Sequence, residues 1–269
     1  MIVCFMDFQL QGKIALVSGS TAGIGAAIAE GLAREGARVI LNGRTQERVD
    51  QTVAAIKQQA PEAQLEAFVG DLSTDQAVRE CAERYPQVDV LINNLGIYEP
   101  KNFTEISDDD WRRFFEVNVL SGVRLSRIYL PKMLKANWGR ILFISSESAL
   151  NIPIEMIHYG LTKTAQLALS RGLAELTRGT GVTVNSVLPG PTRSEGVEQF
   201  VQDLSTRSHQ SVQEVENTFF KETRPSSLLQ RFATTKEVAN LVVYLSSAAA
   251  SATNGSALRV DGGTVKHIL

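Results

Sequence analysis

The chain has 269 residues, 43% hydrophobic and 21% charged. That length suits one large α/β domain or two small ones with an ample core, and the composition excludes disorder and fibrous repeats. The balance of 27 basic against 29 acidic residues, net charge -2, gives no overall basic field for nucleic acid or an anionic membrane, and two cysteines, Cys4 and Cys81, exclude a disulfide framework and cysteine-rich zinc sites.

In chain order, Ile2–Met6 is apolar but too short for a signal-peptide core, and Asp7 interrupts it. Residues 1–10 read as a tail, with the start at either Met1 or Met6. Ile14–Ser18 reads as a buried strand. A glycine turn follows, then Ile24, Ile28 and Leu32 recur on one helix face up to Gly36. Arg38–Asn42 is a second strand, and Thr45 caps a helix running toward Gln59. Leu65–Val69 is a third strand, Asp75–Arg84 a helix and Val88–Ile92 a fourth strand. Ser107 and three aspartates start a long helix toward Leu134, in which Pro131 predicts a late kink or a stop. Arg140–Ser145, Gly181–Val187 and Leu258–Val260 are further strands, and Ile157–Thr177 is a helix. The uncharged stretch Val238–Leu258 contains Asn240, Asn254 and Gly255, so it reads as a surface helix and a turn, not a membrane span. A cytoplasmic protein without a membrane partner is expected.

Alternating strands and helices predict parallel pairing with right-handed crossovers. The expected fold is an α/β, single-domain, Rossmann-type doubly wound parallel sheet of about seven strands with helices on both faces, over residues 11–269. Residues 191–231 break the rhythm. From Glu195 to Arg231 the chain is polar with irregular apolar spacing, and it reads as a helical insertion, a substrate lid over the carboxyl edge of the sheet.

Ser18-Gly19-Ser20-Thr21-Ala22-Gly23-Ile24-Gly25 lies between the first strand and first helix. The glycines permit a tight turn, close approach to a phosphate and close helix packing, and the helix start attracts a pyrophosphate. The second strand ends in Asn42-Gly43-Arg44-Thr45, with no acid for ribose hydroxyls. Arg44 instead suits a 2′-phosphate, so NADP(H) is favoured over NAD(H).

From Gln11 to Gly263 the chain resembles the classical short-chain dehydrogenase/reductase family. The resemblance rests on Gly19-Ser-Thr-Ala-Gly-Ile-Gly25, Asp71-Leu72, Asn93-Asn94-Leu95-Gly96, Asn118, Ser146, Tyr159-x-x-x-Lys163, Pro189-Gly190 and Asp261-Gly262-Gly263. Leu95 stands where the family usually has Ala, and Ser18 where it commonly has Thr; Leu95 is expected to narrow the nicotinamide pocket. The resemblance implies cofactor contacts from Gly19, Ser20, Thr21, Gly23, Ile24, Gly25, Asp71, Leu72, Asn94, Gly96, Tyr159, Lys163, Pro189, Gly190 and Thr192. Asp71 matches the adenine side, Asn94 the nicotinamide side and Thr192 the carboxamide. It also implies that Asn118 holds a water in a proton relay to Lys163, and that copies assemble as tetramers or dimers through the helices carrying Asn118 and Tyr159.

Tyr159 and Lys163 are four apart and share a helix face. A free phenol titrates near 10, and a neighbouring ammonium is expected to lower that value, fitting Tyr159 to exchange a proton with a carbonyl oxygen. Ser146 would bond the substrate oxygen. Glu147 and Glu155 flank this centre and are candidates for contact with a polar or cationic part of the substrate; Leu150, Ile152, Ile154, Phe219 and Phe220 suggest apolar walls. His158 reads as packing or surface, and His209 and His267 lack partners at ligand spacing, so no metal is expected. The reading is an NADP-dependent oxidoreductase moving a hydride between nicotinamide and a small-molecule carbonyl or secondary alcohol, with a 3-oxoacyl thioester reductase as default. The rival is a catalytically silent nucleotide-sensing protein of the same fold.

Overall fold

A computed structural model describes residues 7–268. Cys4 and the choice between Met1 and Met6 lie outside them. The strands are β1 (Ile14–Val17), β2 (Arg38–Gly43), β3 (Gln64–Val69), β4 (Val90–Asn93), β5 (Gly139–Ile144), β6 (Val182–Pro189), β7 (Thr192–Arg193), β8 (Ala233–Thr234) and β9 (Ala257–Val260). The helices are α1 (Gly23–Arg34), α2 (Gln46–Gln59), α3 (Asp75–Arg84), α4 (Asp108–Phe115), α5 (Ser121–Ala136), α6 (Ile157–Glu175), α7 (Glu195–Ser208), α8 (Val212–Thr218) and α9 (Thr235–Ser246).

Seven strands form one parallel sheet in the order β3-β2-β1-β4-β5-β6-β9. This is the doubly wound fold expected from the alternation of elements. Side-chain alternation along each strand feeds two cores. Ala15, Val17, Val39 and Leu41 face a layer containing Ile28, Leu32 and Val242. Leu16, Ile40 and Leu91 face the opposite layer, with Leu125, Tyr129 and Val78. Each fully buried Val, Leu or Ile side chain here contributes about 1.5–3 kcal/mol. The chain order reverses between β1 and β4, which opens the crevice where ligands of such sheets bind.

Several local expectations change. The long helix has a wide π-turn at Glu116–Leu120 between α4 and α5. Pro131 does not stop α5, which runs to Ala136 and ends at left-handed Asn137. The Val238–Leu258 stretch does not begin on a surface helix. α9 buries Val238, Ala239, Val242, Val243 and Leu245, and Val243 packs so near Gly31 of α1 that a Cβ there would crowd it. In the expected tail, Leu10 is buried and Phe8 packs on the same core. His158 is buried beside Trp111 and Phe114, neither ring nitrogen has a hydrogen-bond partner among the described residues, and burial pulls its pKa down.

Arg140 is fully buried without a carboxylate partner among the described residues. It donates to the carbonyls of Ser247 at 3.0 Å and of Gly139 and Gly181 at 2.9 Å, joining β5 to the end of α9 and the start of β6. Removing it orphans buried carbonyl oxygens. Arg140→Met is expected to lower the unfolding free energy by about 2–4 kcal/mol in urea melts, and exposed Arg171→Met far less. Equal effects would contradict that role.

Candidate active site

The glycine turn is stitched to the neighbouring strand ends by side chains. Asn42, buried at the end of β2, accepts from Gly19 N–H through Oδ1 at 3.0 Å and donates to the carbonyls of Phe68 at 3.1 Å and Gly70 at 3.0 Å. Ser18 Oγ accepts from Asn94 N–H at 3.0 Å and Leu95 N–H at 3.1 Å, and Asn94 Nδ2 donates to the Ser18 carbonyl at 2.9 Å. Gly19 has φ +62°, and a Cβ on Gly25 would overlap the Gly19 carbonyl. Leu95 packs its Cδ1 toward Gly19 and onto the core, at the β1–β4 crevice.

The start of α1 bears on what this turn can hold. Ala22 offers no side-chain cap, and no acid lies in the first turn. The first N–H groups are therefore left to an external acceptor, which suits a pyrophosphate. Arg44 is exposed just after β2, and Asp71 closes a turn onto Ser73 after β3. Leu72 is buried beside it. These residues fit a nicotinamide dinucleotide laid across the crevice. Pro189 ends β6, Gly190 abuts the Asp261 backbone, and buried Thr192 donates to the Gly190 carbonyl at 2.9 Å.

At the other end of the crevice the structure gathers Asn118, Ser146, Tyr159 and Lys163. Ser146 follows β5 and caps a short 3₁₀ turn, Glu147–Ala149, accepting from Ser148 N–H at 3.1 Å. Lys163 Nζ lies 5.6 Å from the Tyr159 ring centre and donates to the Ile144 carbonyl at 2.9 Å and Gln166 Oε1 at 3.4 Å. Asn118 lies in the π-turn. Its Oδ1 accepts from Ile97 N–H at 2.8 Å, its Nδ2 donates to Thr162 Oγ1 at 3.0 Å, and its carbonyl accepts from Gln166 Nε2 at 2.6 Å. Lys163 therefore reaches Asn118 through Gln166, which sequence reasoning missed. Gly96 keeps space open here, because a Cβ on it would lie 3.3 Å from Lys163 Nζ.

The electrostatics correct the simple expectation of an ammonium lowering a phenol. Burial pushes Tyr159 up to about 12, opposed by the Ser146 hydroxyl and reinforced by the Glu147 charge. Burial also pulls Lys163 down to about 8. Burial is the largest cause of both shifts.

Glu147 and Glu155 are held by a residue the sequence did not single out. Arg224 Nε donates to Glu147 Oε1 at 3.1 Å, and its Nη1 to Glu155 Oε1 at 3.4 Å. Tyr98 stands edge-on to Tyr159 with ring centres 6.4 Å apart, and its hydroxyl lies beside Gly196 of α7. Phe220 is buried in the segment's own small core and does not wall this cleft, and Phe219 packs partly buried against the same core, which Phe232 closes from just beyond the segment. Ile154 is exposed. A groove of about 460 Å³ between α1 and α2 shares Thr21 and Gly23 with the turn but is not lined by Ser146, Tyr159 or Lys163. Among the described residues no three His, Cys, Asp or Glu side chains converge as metal ligands, and no helix is long and apolar enough to cross a membrane.

A doubly wound sheet with a glycine turn at its switch point and a Ser-Tyr-Lys centre beside it defines a nicotinamide-dependent oxidoreductase acting on CH–OH and C=O groups. The short chain dehydrogenase model matches residues 13–205, and the chain belongs to the short-chain dehydrogenase/reductase family. It is 52% identical over 263 residues to the oxidoreductase YvaG of Bacillus subtilis (strain 168), covering 98% of this chain and 100% of that one. It is 33% identical to the 3-oxoacyl-[acyl-carrier-protein] reductase FabG of Aquifex aeolicus (strain VF5), covering 96% and 99% of the two chains. The structure of L-sorbose reductase from Gluconobacter frateurii, complexed with NADPH and L-sorbose, superposes with a TM-score of 0.91 at 29% identity, covering 98% of this chain and 100% of that one.

The Lys163 shift has a measurable sign. Between about pH 8 and 10.5 the unfolded chain holds a proton on this amine that the folded chain has released, so stability from this group rises with pH. Wild type minus Lys163→Met stability is expected to rise across that window in chemical denaturation. A flat or falling difference would contradict the burial argument.

Proposed function

We propose that the chain is an NADPH-dependent carbonyl reductase and secondary-alcohol dehydrogenase whose proton donor is Tyr159. The observation that carries this reading is the convergence of Ser146, Tyr159 and Lys163 at one end of a crevice whose other end is the uncapped α1 start. When bound, the cofactor supplies a hydride from nicotinamide C4 to the carbonyl carbon. Tyr159 is a neutral phenol near pH 7, given its pKa of about 12, and so holds the proton that the carbonyl oxygen takes. Ser146 donates a hydrogen bond to that oxygen as its charge develops. Lys163, fixed by the Ile144 carbonyl, faces the space that Gly96 leaves open, where a ribose hydroxyl fits. Gln166 links it to Asn118, the expected relay position.

The preference for NADP(H) over NAD(H) rests on Arg44 and the absence of an acid at the end of β2. The NADPH complex of the Gluconobacter enzyme supports it. For the substrate, the charges of Glu147, Glu155 and Arg224 near Ser146 favour a small polar carbonyl compound. A 3-oxoacyl thioester is the second candidate, supported by the likeness to the Aquifex reductase. Assembly of copies through α4–α6 belongs to the same reading. Phe114 and Leu130 are already buried within the chain, whereas Phe115, Leu161 and Leu176 leave exposed apolar area on that side.

A panel of ketoses, simple ketones and acetoacetyl thioesters with NADPH and NADH tests the reading. Tyr159→Phe is expected to keep NADPH binding and lose about 10²–10⁴-fold in kcat/KM. Equal turnover by both proteins across the panel would overturn the role of Tyr159 and favour a nucleotide sensor. Arg44→Leu is expected to raise KM for NADPH about ten-fold or more and to leave KM for NADH nearly unchanged. Equal effects on both cofactors would remove Arg44 from 2′-phosphate recognition.

A further inference from the structure

The 191–231 segment leaves the main domain and returns to it at one place. β7 and β8 pair in parallel, Thr192 with Ala233 and Arg193 with Thr234. Between them the segment has its own small core of Val201, Val215 and Phe220, closed by Phe232. Glu216, buried beside this core, is held by Arg193 and accepts from Phe232 N–H at 3.3 Å. A unit with its own core on a narrow neck can shift as a body, and what fixes it is its contacts beyond the neck.

Among the described residues, three residues of the segment form ion pairs with the main domain. Arg231 meets Glu237 of α9 right beside the neck, and both side chains are about half exposed. Arg48 of α2 holds Glu195 of α7 through two bonds, at 2.8 and 3.2 Å, but both side chains are largely exposed. Solvent and salt screen such a pair, so it contributes little. Arg224 differs. It directly follows the turn that ends the helical part, its side chain is 11% exposed, and the Glu147 side chain it meets is 4% exposed. Glu155, its other partner, is 41% exposed. Glu147 is the residue after Ser146, and its Oε2 has no hydrogen-bond partner among the described residues. A buried carboxylate with one oxygen unpaired relies on its single cation.

We infer that Arg224 is a positioning residue whose docking on Glu147 and Glu155 clamps the 191–231 segment over the Ser146–Tyr159 centre. This rests on the oxidoreductase reading of that centre. The two carboxylates then serve to seat the segment, and Arg224 acts on the substrate through it. Nearby backbone bonds agree with a fixed seat. Ser226 Oγ donates to the Thr264 carbonyl at 2.6 Å, and Leu228 N–H to the Gly262 carbonyl at 2.8 Å.

The test compares full-length Arg224→Met, Arg224→Lys and the double variant Glu147→Gln/Arg224→Met by amide hydrogen exchange, thermal melting and NADPH-dependent carbonyl reduction. Arg224→Met is expected to raise exchange across residues 195–223 about ten-fold without raising it in β1 or β5. It is expected to cut kcat/KM for the carbonyl about ten-fold while KM for NADPH changes little. Arg224→Lys, whose ammonium still reaches Glu147, recovers most of both. The double variant regains thermal stability, because no buried charge is left unpaired, yet keeps the fast exchange. Unchanged exchange in Arg224→Met, or a rise shared by the whole chain, would overturn the clamp. Failure of the wild type to reduce any carbonyl would instead sink the oxidoreductase reading, and exchange alone would then decide the clamp.

Discussion

A cation taken out of water must find acceptors, and at Lys163 those acceptors order the centre of the molecule. The Ile144 carbonyl at the end of β5 takes one hydrogen bond and Gln166 another. Gln166 passes the connection to the Asn118 carbonyl, and Ser145 Oγ bonds the Lys163 carbonyl at 2.9 Å. One buried amine thus ties β5, α6 and the π-turn together. Desolvating the charge is costly, and the fixed carbonyl and amide dipoles offset that cost only in this geometry. The depressed amine and the raised phenol both follow from the same dry surroundings.

The wide turn at Glu116–Leu120 belongs to the same constraint. An ordinary α-helix would bond each carbonyl to an amide one turn on. The wider turn lets the Asn118 carbonyl face Gln166 while its side chain holds both the N–H and the carbonyl of Ile97. The loop after β4 is thereby fixed from one side by Asn118 and from the other by Ser18, at the point where the sheet reverses direction. The glycine-turn end and the Ser146–Tyr159 end of the crevice are joined through that loop.

Much of this was legible in the sequence because its signals are local. Strand and helix periods placed the seven-stranded sheet, and the spacing of Tyr159 and Lys163 placed them on one face of α6. The misses share a cause. Asn42 and Arg224 act through partners far away in the chain, and Gln166, though one turn from Lys163, matters through the distant Asn118 carbonyl, a pairing that no short-range spacing announces. Asn42 left one trace, a polar side chain directly after the apolar run Val39–Leu41 of β2. Phe219 and Phe220 looked like cleft walls because aromatic residues in an irregular segment carry no sign of which core they join. Glu147 and Glu155 were visible as acids near the centre, but a guanidinium arriving 77 residues after Glu147 was not.

A crystal structure with NADPH bound tests the central claim most directly. The account predicts that the pyrophosphate rests on the start of α1 and that the nicotinamide lies against Tyr159, with its ribose bonded to Lys163 Nζ in the space beside Gly96. Density for the dinucleotide elsewhere, or a nicotinamide ring out of reach of Tyr159, would contradict it.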